Sequence, residues 1–218
     1  MKKTFLLSAI AFFLSFSLQA QIKKGSTMLG FDFNFNGANS KYQAGTIETK
    51  TSSNSFGISL LAGKAIKENL FAGAGASYGT YKSNQGTSEQ TSKNYGGSIW
   101  LRRYFPVAKA FYIFANGSLG TTFGKTENNT ANTAKNSSFG LSINLTPGIS
   151  YQVKKSFYLD AAIGNIANIY YSHAKSEQTD SFGNTTKQTG SNYGFSTSLG
   201  NDQNPLQIGL RWIIPAKG

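Results

Sequence analysis

The chain of 218 residues contains no cysteine and one histidine. Without thiols it has no disulfide framework and no thiolate nucleophile. With a single histidine the usual His/Cys clusters for transition metals are excluded, and no motif asks for a cofactor. After residue 20 there is no run of about 18 apolar residues, so no membrane-spanning helix. Acids are also scarce, nine Asp and Glu against 21 Lys and Arg, a net charge of +12. A basic balance raises nucleic acid as a partner. The basic residues are not interleaved with aromatics in a stacking pattern, so nucleic acid is set aside.

What is present begins with the first twenty residues. Lys2-Lys3 precedes an apolar run from Phe5 through Leu14, and Leu18-Gln19-Ala20 places a small residue before Gln21. Residues 1–20 read as a secretory signal peptide and residues 21–218 as one exported domain.

The clearest pattern lies in residues 138–163. From Phe139 the odd positions run Phe139, Leu141, Ile143, Leu145, Pro147, Ile149, Tyr151, Val153, while the even ones are Gly, Ser, Asn, Thr or Gln. This is period two over fifteen residues, a strand with one apolar and one polar face. Lys154-Lys155-Ser156 interrupts it, and Phe157, Leu159, Ala161 and Ile163 resume the apolar row. The pair predicts an antiparallel hairpin. Strands of globular proteins run about five or six residues, whereas a tilted strand crossing a bilayer needs about 9–11.

The same alternation recurs along the chain. Strands are expected over 27–36, 54–64, 69–81, 93–105, 110–124, 138–153, 157–172 and from 192 to 212. Asn165 breaks the apolar row of the seventh, where a bulge is expected. Residues 201–205 of the eighth read as a kink, a bulge or a short loop. Connections alternate between polar stretches (37–53, 82–92, 125–137, 173–191) and short turns (65–68, 106–109, 154–156). Glycines at 73, 75 and 79 sit on the polar face of the third strand, where they would relieve crowding inside a closed sheet. Outward aromatics collect at the strand ends: Phe35, Tyr78, Tyr95, Phe123, Phe139 and Tyr171 at one, Phe105, Phe111, Tyr151, Phe157 and Trp212 at the other. Two such belts mark the interfaces of a membrane barrel. The predicted fold is all-β, an eight-stranded antiparallel up-and-down transmembrane β-barrel.

At Leu101-Arg102-Arg103-Tyr104-Phe105-Pro106, Thr146-Pro147-Gly148-Ile149-Ser150-Tyr151 and Leu206-Gln207-Ile208-Gly209-Leu210-Arg211-Trp212 the chain resembles the small eight-stranded outer-membrane barrels of the OmpA/OmpX kind. It is more similar still to the outer membrane protein beta-barrel domain family, over residues 21–214. The resemblance implies the bacterial outer membrane as location, with its lipids, lipopolysaccharide and the barrel assembly machinery as partners. That family usually closes on an aromatic residue at the C-terminus. Here Ile213 to Gly218 follow Trp212.

Little in the chain looks catalytic. His173 lies near Ser172, Ser176 and Glu177 in a polar stretch with no placed oxyanion donors, so a non-enzyme is expected. Parity puts Leu61, Phe71, Trp100, Tyr104, Tyr112, Phe114 and Tyr158 inside, where they would fill a lumen of eight strands. It also puts four charges inside: Asp32, Arg102, Asp160 and Arg211. An Asp160–Arg211 pair is expected, with Asp32 and Arg102 as further members. The functional expectation is a structural or surface-interaction protein of the outer membrane, its surface partner open, with long polar loops outside. A narrow pore is the alternative, and a soluble lipocalin-like binding barrel is a third reading.

Overall fold

The computed structural model describes residues 21–44, 47–85, 88–129, 133–179, 182, 184–197 and 206–217. The expected signal peptide and the 201–205 segment lie outside them. Ten strands run in chain order: β1 (Thr27–Ala44), β2 (Ile47–Lys67), β3 (Leu70–Gln85), β4 (Ser88–Ala108), β5 (Phe111–Asn129), β6 (Thr133–Lys154), β7 (Phe157–Ala162), β8 (Ala167–Thr179), β9 (Thr185–Thr197) and β10 (Gln207–Ile214). All pairings are antiparallel, each of β1 to β6 pairs with the next, and β6–β7, β7–β10 and β10–β1 close a ring of eight. The soluble lipocalin-like reading needs an apolar interior and a polar exterior. Here Leu60, Ile99, Leu101, Ile113, Ile143 and Ile149 all point outward and stand exposed.

Two strands of the expected eight are divided. The seventh is β7 plus β8, because residues 163–166 leave the ladder. Leu145 pairs with Ala167 and Gly148 with Ala162, so five steps on one side face three on the other. The two extra residues keep the parity of the strand and turn Asn165 to the lumen, where Thr146 donates to its Oδ1 at 2.7 Å and it donates to Asn144 Oδ1 at 2.9 Å. The insertion exchanges an outward polar residue for an inward, satisfied one. The eighth is β9 plus β10. Among the described residues β9 pairs only with β8, and β1 beyond Phe33 only with β2.

The polar stretches correct the sequence reading. They are not loops. β1 pairs with β2 as far as Ala44 and Ile47, and β4 with β5 as far as Glu89 and Asn129. Likewise β8 and β9 pair out to Thr179 and Thr185. An alternation test detects a strand only where one face meets an apolar medium. Beyond the membrane both faces are wet, Thr, Ser, Asn and Lys suit either, and the ladder continues on backbone hydrogen bonds. The expected strand ends therefore mark the rim of the apolar zone rather than the end of the sheet.

The opposite turns are tighter than expected. Each is a two-residue turn beside a register shift, at residues 68–69, 109–110 and 155–156. In the first, Asn69 adopts φ 58°, a left-handed conformation that asparagine tolerates well. It also ties down the segment that leads into β1: Ile22 N–H donates to Asn69 Oδ1 at 2.8 Å, and Asn69 N–H to the Ile22 carbonyl at 3.0 Å. With Ile22, Met28 and Ile213 buried there, this end of the barrel is covered.

Candidate functional site

The interior is built in layers. Nearest the short turns lies an aromatic layer of Phe71, Tyr104, Tyr112, Phe114 and Tyr158, all buried. Tyr104 is its hub, with ring centroids 5.9 Å from Phe71, 5.9 Å from Tyr112 and 6.0 Å from Phe114; Tyr112 lies 5.8 Å from Tyr158. These edge-on and tilted distances are those of favourable ring pairs. Trp100 is buried as well, and Leu61 partly, so all seven inward apolar candidates lie inside.

Glycines make this packing fit. A Cβ at Gly63 or Gly73 would run into the Trp100 ring, and one at Gly148 into Phe114. The small residues of one strand thus seat the large residues of another.

Directly above the aromatics the four inward charges form one alternating chain, Asp32–Arg211–Asp160–Arg102. Arg102 Nη1 donates to Asp160 Oδ2 at 2.6 Å. Arg211 Nε lies 3.2 Å from the same oxygen, an ion pair without hydrogen-bond alignment. Arg211 Nη2 donates to Asp32 Oδ1. Its Nη1 donates to the Phe31 carbonyl at 3.2 Å and the Leu210 carbonyl at 3.0 Å. Arg102, Asp160 and Arg211 are each at most 4% exposed. The expected emphasis changes here: Asp160 makes its closer contact with Arg102, and Arg211 hydrogen-bonds Asp32. The register explains it. Asp32 and Asp160 both pair with Gly209, from opposite sides, and Gly30 pairs with Arg211. The guanidinium folds back over Gly209 between the two carboxylates. A Cβ there would collide with Asp32 Oδ1 and come within 2.7 Å of Arg211 Nη1.

The neutral contacts of this charge chain were not among the pairings expected from the sequence. Arg102 Nε donates to Asn116 Oδ1 at 3.4 Å, and its guanidinium carbon stands 4.4 Å from the Phe114 ring centroid, a cation–π contact that joins the charged layer to the aromatic one. Tyr104 O–H donates to Met28 Sδ at 3.7 Å. The missed signal is the spacing of Gly30 and Gly209 around Arg211 on the inward faces.

Above the charges lies a cavity of about 330 Å³, lined chiefly by Ser, Thr and Asn such as Ser118, Thr122 and Asn144, with the charged chain as its floor. His173 is elsewhere, exposed on the outward face, its Nδ1 2.9 Å from Ser191 Oγ. Glu177 is held by Lys175 at 3.2 Å and Lys187 at 3.5 Å. The structure brings together all four charges named from the sequence but not the His173, Ser172 and Glu177 grouping. Among the described residues no cluster of three or more His, Cys, Asp or Glu is placed to hold a metal.

The model of the outer membrane protein beta-barrel domain matches residues 6–200. The chain belongs to that family. Its location is the bacterial outer membrane. Solved structures agree on the fold. The chain is similar to a major outer membrane protein from Thermus thermophilus, at 11% identity and TM-score 0.50, covering 86% of this chain and 99% of that one. It is similar to the outer membrane protein OprG from Pseudomonas aeruginosa, at 14% identity and TM-score 0.50, covering 91% and 99%. Among curated proteins none matches the chain in sequence.

Proposed function

We propose that this protein is a non-conducting, non-enzymatic barrel of the outer membrane, with a structural or surface-interaction role and its long hairpins outside the cell. The observation that carries the reading is the floor of the lumen. Arg102, Asp160 and Arg211 cross it on top of five buried rings. An ion crossing the barrel would have to break paired buried charges, and leaving one unpaired costs about 3–5 kcal/mol. The orientation rests on the contrast between two-residue turns at one end and long polar hairpins at the other, the arrangement of bacterial outer-membrane barrels. Insertion by the barrel assembly machinery follows from that location, with β10 as the closing strand.

Two measurements test this reading. In planar bilayers the purified protein shows no steady conductance; an ohmic, long-lived current would establish the narrow pore instead. An epitope placed between β5 and β6 is labelled on intact cells; labelling only after the outer membrane is permeabilised would reverse the topology.

A further inference from the structure

The end of the barrel that carries the two-residue turns is almost entirely of one sign. Lys23 and Lys24 lie in the segment that leads into β1, Lys64 and Lys67 close β2, and Lys109 sits in the turn between β4 and β5. Lys154 ends β6, Lys155 sits in the turn after it, Lys217 follows β10, and Arg103 stands on β4 opposite Leu70. The one acid among them is Glu68. Nine basic side chains against one carboxylate leave a charge of eight, most of the +12 of the whole sequence. All nine are exposed, and among the described residues none lies within ion-pair distance of a carboxylate. Elsewhere the signs are mixed. The lumen charges cancel, and at the hairpin end Glu89, Glu127 and Glu177 stand among the lysines, with Glu177 holding Lys175 and Lys187.

Hydrogen bonds fix the turn end as one surface. Tyr104 N–H donates to the Asn69 carbonyl and Gly25 N–H to the Ala65 carbonyl, both at 2.8 Å, so β4 and the leading segment lie against the first turn. Ala216 N–H donates to Ser26 Oγ at 3.4 Å, which sets the segment carrying Lys217 beside the one carrying Lys23 and Lys24. Ile213 N–H donates to the Ser156 carbonyl and Gln152 N–H to the Ala110 carbonyl, both at 2.8 Å, joining β10 to the third turn and the third turn to the second. The lysines are therefore carried on a backbone frame that needs no ordering before it binds.

We propose that this cationic end docks a carboxylate-bearing polymer of the periplasm, the acidic peptide stems of the cell wall. Charge is the first argument. Unpaired like charges on one surface repel, and a polyanion turns that repulsion into attraction. Residue type is the second. All but Arg103 are lysines, point charges on flexible stems without the planar fork that grips a single phosphate. They suit carboxylates spread along a chain. Position is the third. Lys109 and Lys155 occupy turns, and Lys23, Lys24 and Lys217 lie in segments beyond the strands. These charges stand past the end of the sheet, which favours a polymer in the water there over headgroups beside the barrel wall. The fourth is what the covering surface lacks. Ile22, Met28 and Ile213, which close this end, are buried, leaving no apolar anchor of the kind that holds a protein partner. The proposal rests on the short turns facing the periplasm.

The test uses the mature chain refolded in neutral detergent micelles, and purified sacculi stripped of bound protein. Co-sedimentation compares the wild type with Lys23→Gln/Lys109→Gln/Lys155→Gln, and with Lys82→Gln/Lys93→Gln/Lys125→Gln at the hairpin end. Heat-shifted gel mobility first establishes that each is folded. The wild type and the hairpin-end variant are expected to sediment with sacculi in about 0.1 M salt. Both should come off in about 1 M salt, where the screening length falls to about 3 Å. The turn-end variant is expected to bind about tenfold more weakly. Amidating the sacculus carboxylates is expected to abolish binding, and soluble polyglutamate to compete. No retention of the wild type, a turn-end variant that binds like it, binding that survives amidation, or retention in high salt would each overturn the proposal. So would competition by anionic phosphatidylglycerol micelles without competition by polyglutamate, which would assign this end to lipid headgroups. Micelles and sacculi have no sides, so this result is independent of orientation. A reversed topology shows itself separately, in the labelling of intact cells, and would overturn the cell-wall assignment with the binding unchanged.

Discussion

Arg211 shows how single residues hold the interior. Its head group reaches Asp32 and Asp160 only because positions 30 and 209 carry no side chain. Gly209→Ala should therefore destabilise the barrel by about 1–3 kcal/mol, the usual range for overpacking. Gly117→Ala, where a Cβ meets nothing within 4 Å, should be neutral or stabilising by up to about 1 kcal/mol. Urea unfolding in vesicles measures both, and equal effects would show that Gly209 is not a seat. The charge chain makes a second demand. Asp160→Asn removes the carboxylate shared by two arginines and should cost about 3–5 kcal/mol. In double-mutant cycles, coupling with Arg102→Gln should exceed coupling with Arg211→Gln, since the first contact is 2.6 Å and aligned and the second 3.2 Å and not. Additivity within about 0.5 kcal/mol in the Arg102 cycle would mean that pair is not coupled.

At the scale of the strand, the decisive quantity is which face meets lipid. Leu145→Arg, near the middle of β6, should cost about 2–4 kcal/mol, while Thr122→Arg, facing the cavity, should change stability far less. Similar losses would contradict the facing. The hairpin of β8 and β9 answers to pH instead. Hydrogen bonding to Lys175, with the charge of Lys187 beside it, holds the Glu177 carboxyl below the ordinary carboxylate range. A depressed carboxylate stabilises the folded hairpin above its unfolded pKa and loses that contribution as pH falls through the folded value. Amide exchange in β8 and β9 should be faster in Glu177→Gln than in the wild type at neutral pH. The difference should vanish at low pH.

The same contrast explains what could be read from the sequence. Leu141, Ile143 and Leu145 announce a strand because lipid makes their face uniform. Lys125, Glu127, Lys135 and Glu177 belong to strands just as regular, but water on both sides leaves no alternation to read. The four lumen charges were legible by parity, and their partner assignment was not. Which arginine meets which aspartate depends on the register around Gly209, and a register is a relation between strands that no single stretch of sequence contains.

For the molecule as a whole, two solvents divide the work. Outward apolar residues such as Ile99 and Ile149 stand exposed because lipid covers them, while Arg102, Asp160 and Arg211 are buried because they satisfy one another. The absence of cysteine makes this division directly measurable. Single cysteines introduced at successive positions from 139 to 153 of β6 carry a spin label in vesicles, with no native thiol to compete. Oxygen, which partitions into lipid, and a water-soluble nickel chelate report the surroundings of each label. Odd positions should show high oxygen and low nickel accessibility; even positions should show low oxygen accessibility throughout. An oxygen profile without period two, or one peaking at the even positions, would contradict the lipid-embedded barrel with its charges inside.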